Sequence, residues 1–121
     1  MNRYIAAFCV GLLGLASCGG GEPLDLSPEA AEGRQIANSV GCGACHGDNG
    51  QGGLAPAWRG VYQSRVELEG GLTVMATEAY LHRSIIEPQA EIVRGYTTKM
   101  PQVDVTDDQI AAIITYIKEL Q

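Results

Sequence analysis

Two thiols and an imidazole stand together in Cys42-Gly43-Ala44-Cys45-His46. Cysteines two residues apart, followed at once by a histidine, form the C-x-x-C-H attachment pattern of a c-type haem. The spacing serves the chemistry. Two thiols add across the two vinyl groups of the haem to give thioethers, and one helical turn presents both sulfurs to one edge of the ring. The next residue, His46, is carried beneath the iron as an axial ligand. Gly43 and Ala44 are small and let the ring come close to the backbone. Other chemistries use the same pair of cysteines. A zinc half-site needs two more ligands, and outside the apolar leader only Cys18 and His82 remain as soft candidates. A dithiol redox pair needs a βαβ setting, which this pattern of residues does not show.

A haem that only exchanges electrons has both axial positions filled, and a thioether opposite a histidine raises its potential. The chain has three methionines. Met1 is the initiator, and Met75 lies in an alternating stretch and reads as a packing residue. Met100 lies in Gly95-Tyr96-Thr97-Thr98-Lys99-Met100-Pro101, where Pro101 disfavours helix at the residue before it. An extended loop is what holds a thioether over a ring face, so Met100 is the expected partner of His46. Two alternatives stay open: His82, within Tyr80-Leu81-His82-Arg83, as a nitrogen ligand, or an iron with a free position. A methionine that only fills a core gap gives the same sequence signal. Trp58 supplies either an indole N–H for a haem propionate or a plain wall of the pocket. Arg59 is either a propionate partner or a solvated cation. Tyr96 packs either beside Met100 or in the core.

These residues need elements to position them. A first helix is expected from Ser27 as N-cap with Pro28 at the first helical position, and Gly33, Ile36, Ala37 and Val40 recur at helical spacing. A glycine inside a helix costs about 1 kcal/mol against alanine, so Gly33 calls for another helix crossing close by. The last helix is the natural candidate. Thr106-Asp107-Asp108-Gln109 is a capping box with Val105 and Ile110 as its hydrophobic staple, and Ile110, Ile113, Ile114 and Ile117 form its apolar stripe. A middle helix runs from Glu78 to Glu87, with Thr77 as its cap and Pro88 as its stop. A glycine-rich loop covers residues 48–53, and Val66 to Leu68 with Leu72 to Val74, around Glu69-Gly70-Gly71, reads as a small β-hairpin.

The N-terminus reads as an address rather than as fold. Asn2-Arg3 precedes an apolar stretch, Tyr4 to Leu15, that is short for a membrane span. Leu15-Ala16-Ser17-Cys18 then reads as a lipobox, with cleavage before Cys18 and a lipid on its thiol; the alternative is an ordinary secretory leader with an incidental cysteine. The expected organisation is a signal peptide over 1–17, a lipidated Cys18 with a flexible tether over 18–26, and a haem domain over 27–121. The tether has an r.m.s. reach of roughly 15 Å, which keeps an exported domain at the outer, extracytoplasmic face of a bacterial membrane. Cys9 leaves with the leader, so no structural disulfide is expected. With 8 Lys and Arg against 14 Asp and Glu, the formal charge is −6. That balance excludes nucleic acid as a partner and calls for a basic docking patch on whatever the protein meets. With 16 glycines and 6% aromatic residues, a domain this small needs the macrocycle as part of its core.

Cys42 to His46, Pro56, and Gly95 to Pro101 together resemble a class I monohaem cytochrome c. Val61-Tyr62, the stretch from Val66 to Val74, and Glu78 to Pro88 are similar to the cytochrome c domain fused to subunit II of caa3-type oxidases. The monohaem subunit of alternative complex III carries a related domain. The resemblance covers residues 27–120. It implies an all-α, class I cytochrome c fold: three to five helices around one covalent haem c, with a small β-hairpin insertion. It also implies that the Pro56 carbonyl accepts the ring N–H of the axial histidine, which fixes the ring, and that Tyr116 packs against Gly33 between the terminal helices. The sequence departs from the family in having Ala55 where glycine usually precedes Pro56, and Trp58 where leucine is common. The implied function is single-electron transport rather than catalysis, as donor to, or subunit of, a terminal oxidase or alternative complex III. The rival is a haem c enzyme or sensor with an open iron, such as a small peroxidase or a gas binder.

Overall fold

The computed structural model describes residues 23–121; the expected leader, Cys9 and the expected lipidation site Cys18 lie outside the described residues. Four helices and one hairpin follow in the order α1 (Pro28–Ser39), α2 (Gly43–His46), β1 (Arg65–Glu67), β2 (Thr73–Met75), α3 (Glu78–Ile86) and α4 (Asp107–Glu119). This matches the mostly helical expectation with its small β insertion.

The helix ends form where the sequence carries stop and start signals. The Ser27 hydroxyl accepts from the Ala30 amide at 3.2 Å, with Pro28 in the first turn. Thr77 caps α3 through the Tyr80 amide. Thr106 and Gln109 exchange both bonds of the capping box on α4. Ser27 does a second task. Its amide and hydroxyl both donate to the Glu119 carboxylate, at 2.9 and 2.6 Å, tying the start of α1 to the end of α4. These bonds to the ionised form hold the Glu119 carboxyl below its ordinary value.

The core lies where α1 and α3 meet α4. Ala37, Leu81, Ile85, Ile110, Ile113, Ile114 and Ile117 form one buried cluster. At Gly33, α1 and α4 meet backbone to backbone: a Cβ there would stand 1.9 Å from the Ala112 carbonyl oxygen. That near-contact is with backbone one turn before Tyr116. Tyr116 itself is buried with Ala30 and Leu120 in a second cluster, onto which Leu24, Leu26 and Trp58 pack. So the segment expected to be free tether as far as residue 26 is seated on the domain by Leu24 and Leu26.

The hairpin sits one residue away from its expected bounds. Its register pairs Arg65 with Met75, Val66 with Val74 and Glu67 with Thr73. The alternation turns Val66 inward and leaves Met75 49% exposed. Met75 is therefore a surface residue, against the expectation of a packing role, because its neighbours Val74 and Ala76 take the inward positions. β1 is also joined on its far side. The Arg94 amide donates to the Glu67 carbonyl, the Glu69 amide to the Ile92 carbonyl, and Leu68 bridges Val93. The hairpin thereby fixes the chain that leads into the Met100 loop.

Candidate functional site

The end of α1 delivers the cysteine motif. Val40 is the C-cap. The Cys42 amide donates to the Ala37 carbonyl at 2.9 Å and the Gly41 amide to the Asn38 carbonyl at 3.2 Å, with Gly41 at φ +88°. This is a Schellman ending, with its glycine in the left-handed conformation that other residues adopt at a penalty. It reverses the chain so that Cys42 begins α2. Within that single turn the Cys45 and His46 amides both donate to the Cys42 carbonyl, at 3.2 and 3.0 Å. Gly41 was not singled out as a site residue from the sequence, although a glycine just past a periodic apolar run is a helix-stop signal.

The loop after α2 folds back on it. The Gly52 amide donates to the His46 carbonyl at 2.7 Å, and the Ala55 amide to the Cys45 carbonyl at 3.1 Å. This return brings the Pro56 carbonyl to 2.8 Å from His46 Nδ1. A carbonyl only accepts, so Nδ1 carries the proton and Nε2 keeps its lone pair. Burial pushes the His46 ring below its ordinary value, with the Pro56 bond opposing, and so favours the neutral, metal-ligating form. Behind the imidazole, Trp58 stacks at 4.6 Å between centroids and 22° between planes. Tyr116 meets the indole edge-on at 6.1 Å.

These residues open onto one cavity of about 470 Å³, within the roughly 300–1,000 Å³ range of small-molecule and cofactor sites. Cys42, Cys45, His46, Pro56, Trp58, Tyr96 and Met100 all line it. A smaller void of about 60 Å³ also touches Cys42, His46, Trp58 and Met100 and reaches Ile113 and Ile117 of α4. Both thiols are free of a disulfide. Burial raises the Cys42 thiol above its ordinary value, with a backbone hydrogen bond opposing.

The candidates that sequence reasoning left as alternatives fall elsewhere. His82 is on α3 but does not line the cavity, and neither does Met75, so Met100 is the methionine of the described residues that does. Arg59 is outside the lining too, and its Nε donates to the Asn49 carbonyl at 3.1 Å. Arg65, Arg94, Tyr80 and Ser84 line the cavity without having been expected there. Tyr80 and Ser84 share a face of α3 with the buried Leu81 and Ile85, a relation that helical spacing carries. The two arginines reach the site through the hairpin's pairing, which no local signal encodes.

The donor set therefore suits one ligand type: paired thiols on one turn, a neutral imidazole with a free Nε2, and a thioether, all facing an apolar cavity. The family model described as Cytochrome c matches residues 30–121. The chain belongs to the cytochrome c family. No curated protein matches it. Cytochromes of this family hold haem c covalently, and the cavity, thiols and imidazole of this cytochrome fit that group. No helix among the described residues is long and apolar enough to cross a membrane.

Proposed function

We propose that this cytochrome c is a membrane-tethered, monohaem carrier of single electrons in a respiratory chain, serving as donor to, or subunit of, a terminal oxidase or alternative complex III. Cys42 and Cys45 supply the thioethers, and His46 and Met100 are the axial pair. The observation that carries the reading is that Met100 and His46 line the same cavity while His82 and Met75 do not. Bound there, haem c supplies a one-electron iron couple. The Pro56 bond holds the imidazole in one tautomer and one orientation. Trp58, stacked on the imidazole face, hinders its rotation. Met100 fills the position that a substrate or gas needs, which sets the carrier reading against the open-iron one.

Cys18, a lipid on it, and the exported location follow from the lipobox reading and complete the proposal. The chain's acidity fits a partner with a basic docking patch.

Ferric protein is expected to show the weak near-infrared charge-transfer band of iron–thioether ligation. Met100→Ala abolishes that band, lowers the potential and opens the iron to cyanide. A band that survives Met100→Ala removes Met100 from the site and makes His82→Ala the next variant to measure. A wild-type protein that binds cyanide as fast as Met100→Ala favours the enzyme or sensor instead.

A further inference from the structure

The Met100 loop has almost no hydrogen bonds of its own. Among the described residues, no backbone–backbone hydrogen bond involves residues 97–105. Pro101 contributes no N–H at the point where one would help most. Val103 and Val105 rest on the core cluster, which anchors the far end of the loop but not Met100.

Two glutamine side chains supply the missing bonds, and they do so reciprocally. Gln89, just beyond Pro88 at the end of α3, donates its amide to the Met100 carbonyl at 2.8 Å. Gln102, two residues after Met100, donates its amide to the Ile86 carbonyl at 2.9 Å. Ile86 is the last residue of α3, so its carbonyl is one that a helix leaves without an internal partner. Each segment therefore satisfies a stranded carbonyl of the other. These are the two side-chain hydrogen bonds that reach residues 97–105 among the described residues.

We propose that Gln89 and Gln102 form a paired amide clasp that positions the Met100 thioether over the cavity, so that the axial bond survives competition from outside ligands. The proposal rests on the reading of Met100 as an axial ligand. A loop without a ladder samples many conformers, and each fixed residue carries an entropic penalty. A thioether is a weak donor, and its bond competes with any small base that reaches the iron whenever the loop swings out. One bond at the Met100 carbonyl and one two residues on restrain the swing of the loop at Met100. Both glutamines are exposed, so removing their amides leaves the core intact.

The test uses full-length ferric protein with haem covalently attached. Imidazole is titrated while the near-infrared band is followed, and far-UV circular dichroism reports the fold. Gln89→Ala and Gln102→Ala are each expected to tighten apparent imidazole binding about fivefold, the change in an equilibrium constant that one hydrogen bond of ordinary net strength makes. The double variant tightens it further. Gln89→Glu keeps the shape but cannot donate, and it follows Gln89→Ala. Gln121→Ala removes a similar amide-to-carbonyl bond, to Lys118 at 2.7 Å, from the end of α4, and it leaves imidazole binding at the wild-type value. Variants that bind imidazole as wild type does, or a Gln89→Glu that does so, overturn the clasp. If Met100→Ala abolishes the band while the glutamine variants change nothing, the clasp alone fails. If Met100→Ala keeps the band, the ligation reading fails and takes the clasp with it.

Discussion

Cys42 and Cys45 share one helical turn but not one environment. Cys42 packs against the core cluster, whereas Cys45 lends its carbonyl to the returning Ala55 amide. Among the described residues each thiol has only the other as a possible cysteine partner, and neither is in a disulfide. Both thiols are free to add to an outside electrophile, which is what the vinyl groups offer. Protein matured with a cytochrome assembly system is therefore expected to show the mass of polypeptide plus one haem after denaturation. The Cys42→Ser/Cys45→Ser double variant is expected to lose that increment, because the axial ligands proposed at His46 and Met100 would hold only the iron and release it on unfolding. Wild-type chain without the increment, beside a control cytochrome that matures, would rule out covalent attachment at this pair. At this scale the sequence spoke plainly. The motif is contiguous, and Met100 is marked by the proline after it. What stayed hidden was Trp58: its contact with His46 depends on the loop returning from Gly47 to Ala57, and no spacing rule reports a stack built that way.

The elements were legible where their signals are local. Ser27, Thr77 and Thr106 cap the helices that their side chains announce, because a cap bond spans only three residues. The hairpin came out one residue displaced, since alternation fixes the face of a strand more firmly than its ends. The pairing of β1 with residues 92–94 had no local signal at all. Gly33 lies between these cases: a glycine inside a helix implied a close neighbour, and the Ala112 carbonyl is that neighbour. With a Cβ placed 1.9 Å from a backbone oxygen, no side-chain rotation relieves the clash, so α1 and α4 have to separate. Gly33→Ala is accordingly expected to destabilise the fold by about 1–3 kcal/mol, the range for overpacked sites, despite alanine's better helix propensity. Chemical denaturation followed by circular dichroism measures it. A neutral or stabilising Gly33→Ala would mean that the two helices are not in backbone contact in solution.

The whole molecule joins a compact haem domain to a membrane through very little chain, if Cys18 carries a lipid. Leu24 and Leu26 pack on the cluster of Ala30, Tyr116 and Leu120, so only residues 18–23 are left to bridge lipid and domain. Fully extended, that length reaches about 20 Å, against about 30 Å for residues 18–26. A lipid on Cys18 would thus confine the domain to a thin layer above the bilayer, at an effective concentration that free diffusion does not match. Cys18→Ser is expected to remove the lipid. A version exported behind a cleavable soluble leader should be released as a folded, red protein, because Cys42, Cys45, His46 and Met100, which line the cavity, all lie in the described domain. In solution it should take up and give back electrons as the anchored form does. With its native membrane partner, its turnover should fall steeply on dilution while that of the anchored form holds, since only the soluble form depends on encounter from bulk. Parallel turnover at every dilution would show that the anchor plays no part in delivering electrons and that surface charge alone governs docking. Adding salt to both forms tells the two contributions apart: ions screen the attraction of an acidic domain for a basic patch but leave a lipid tether in place.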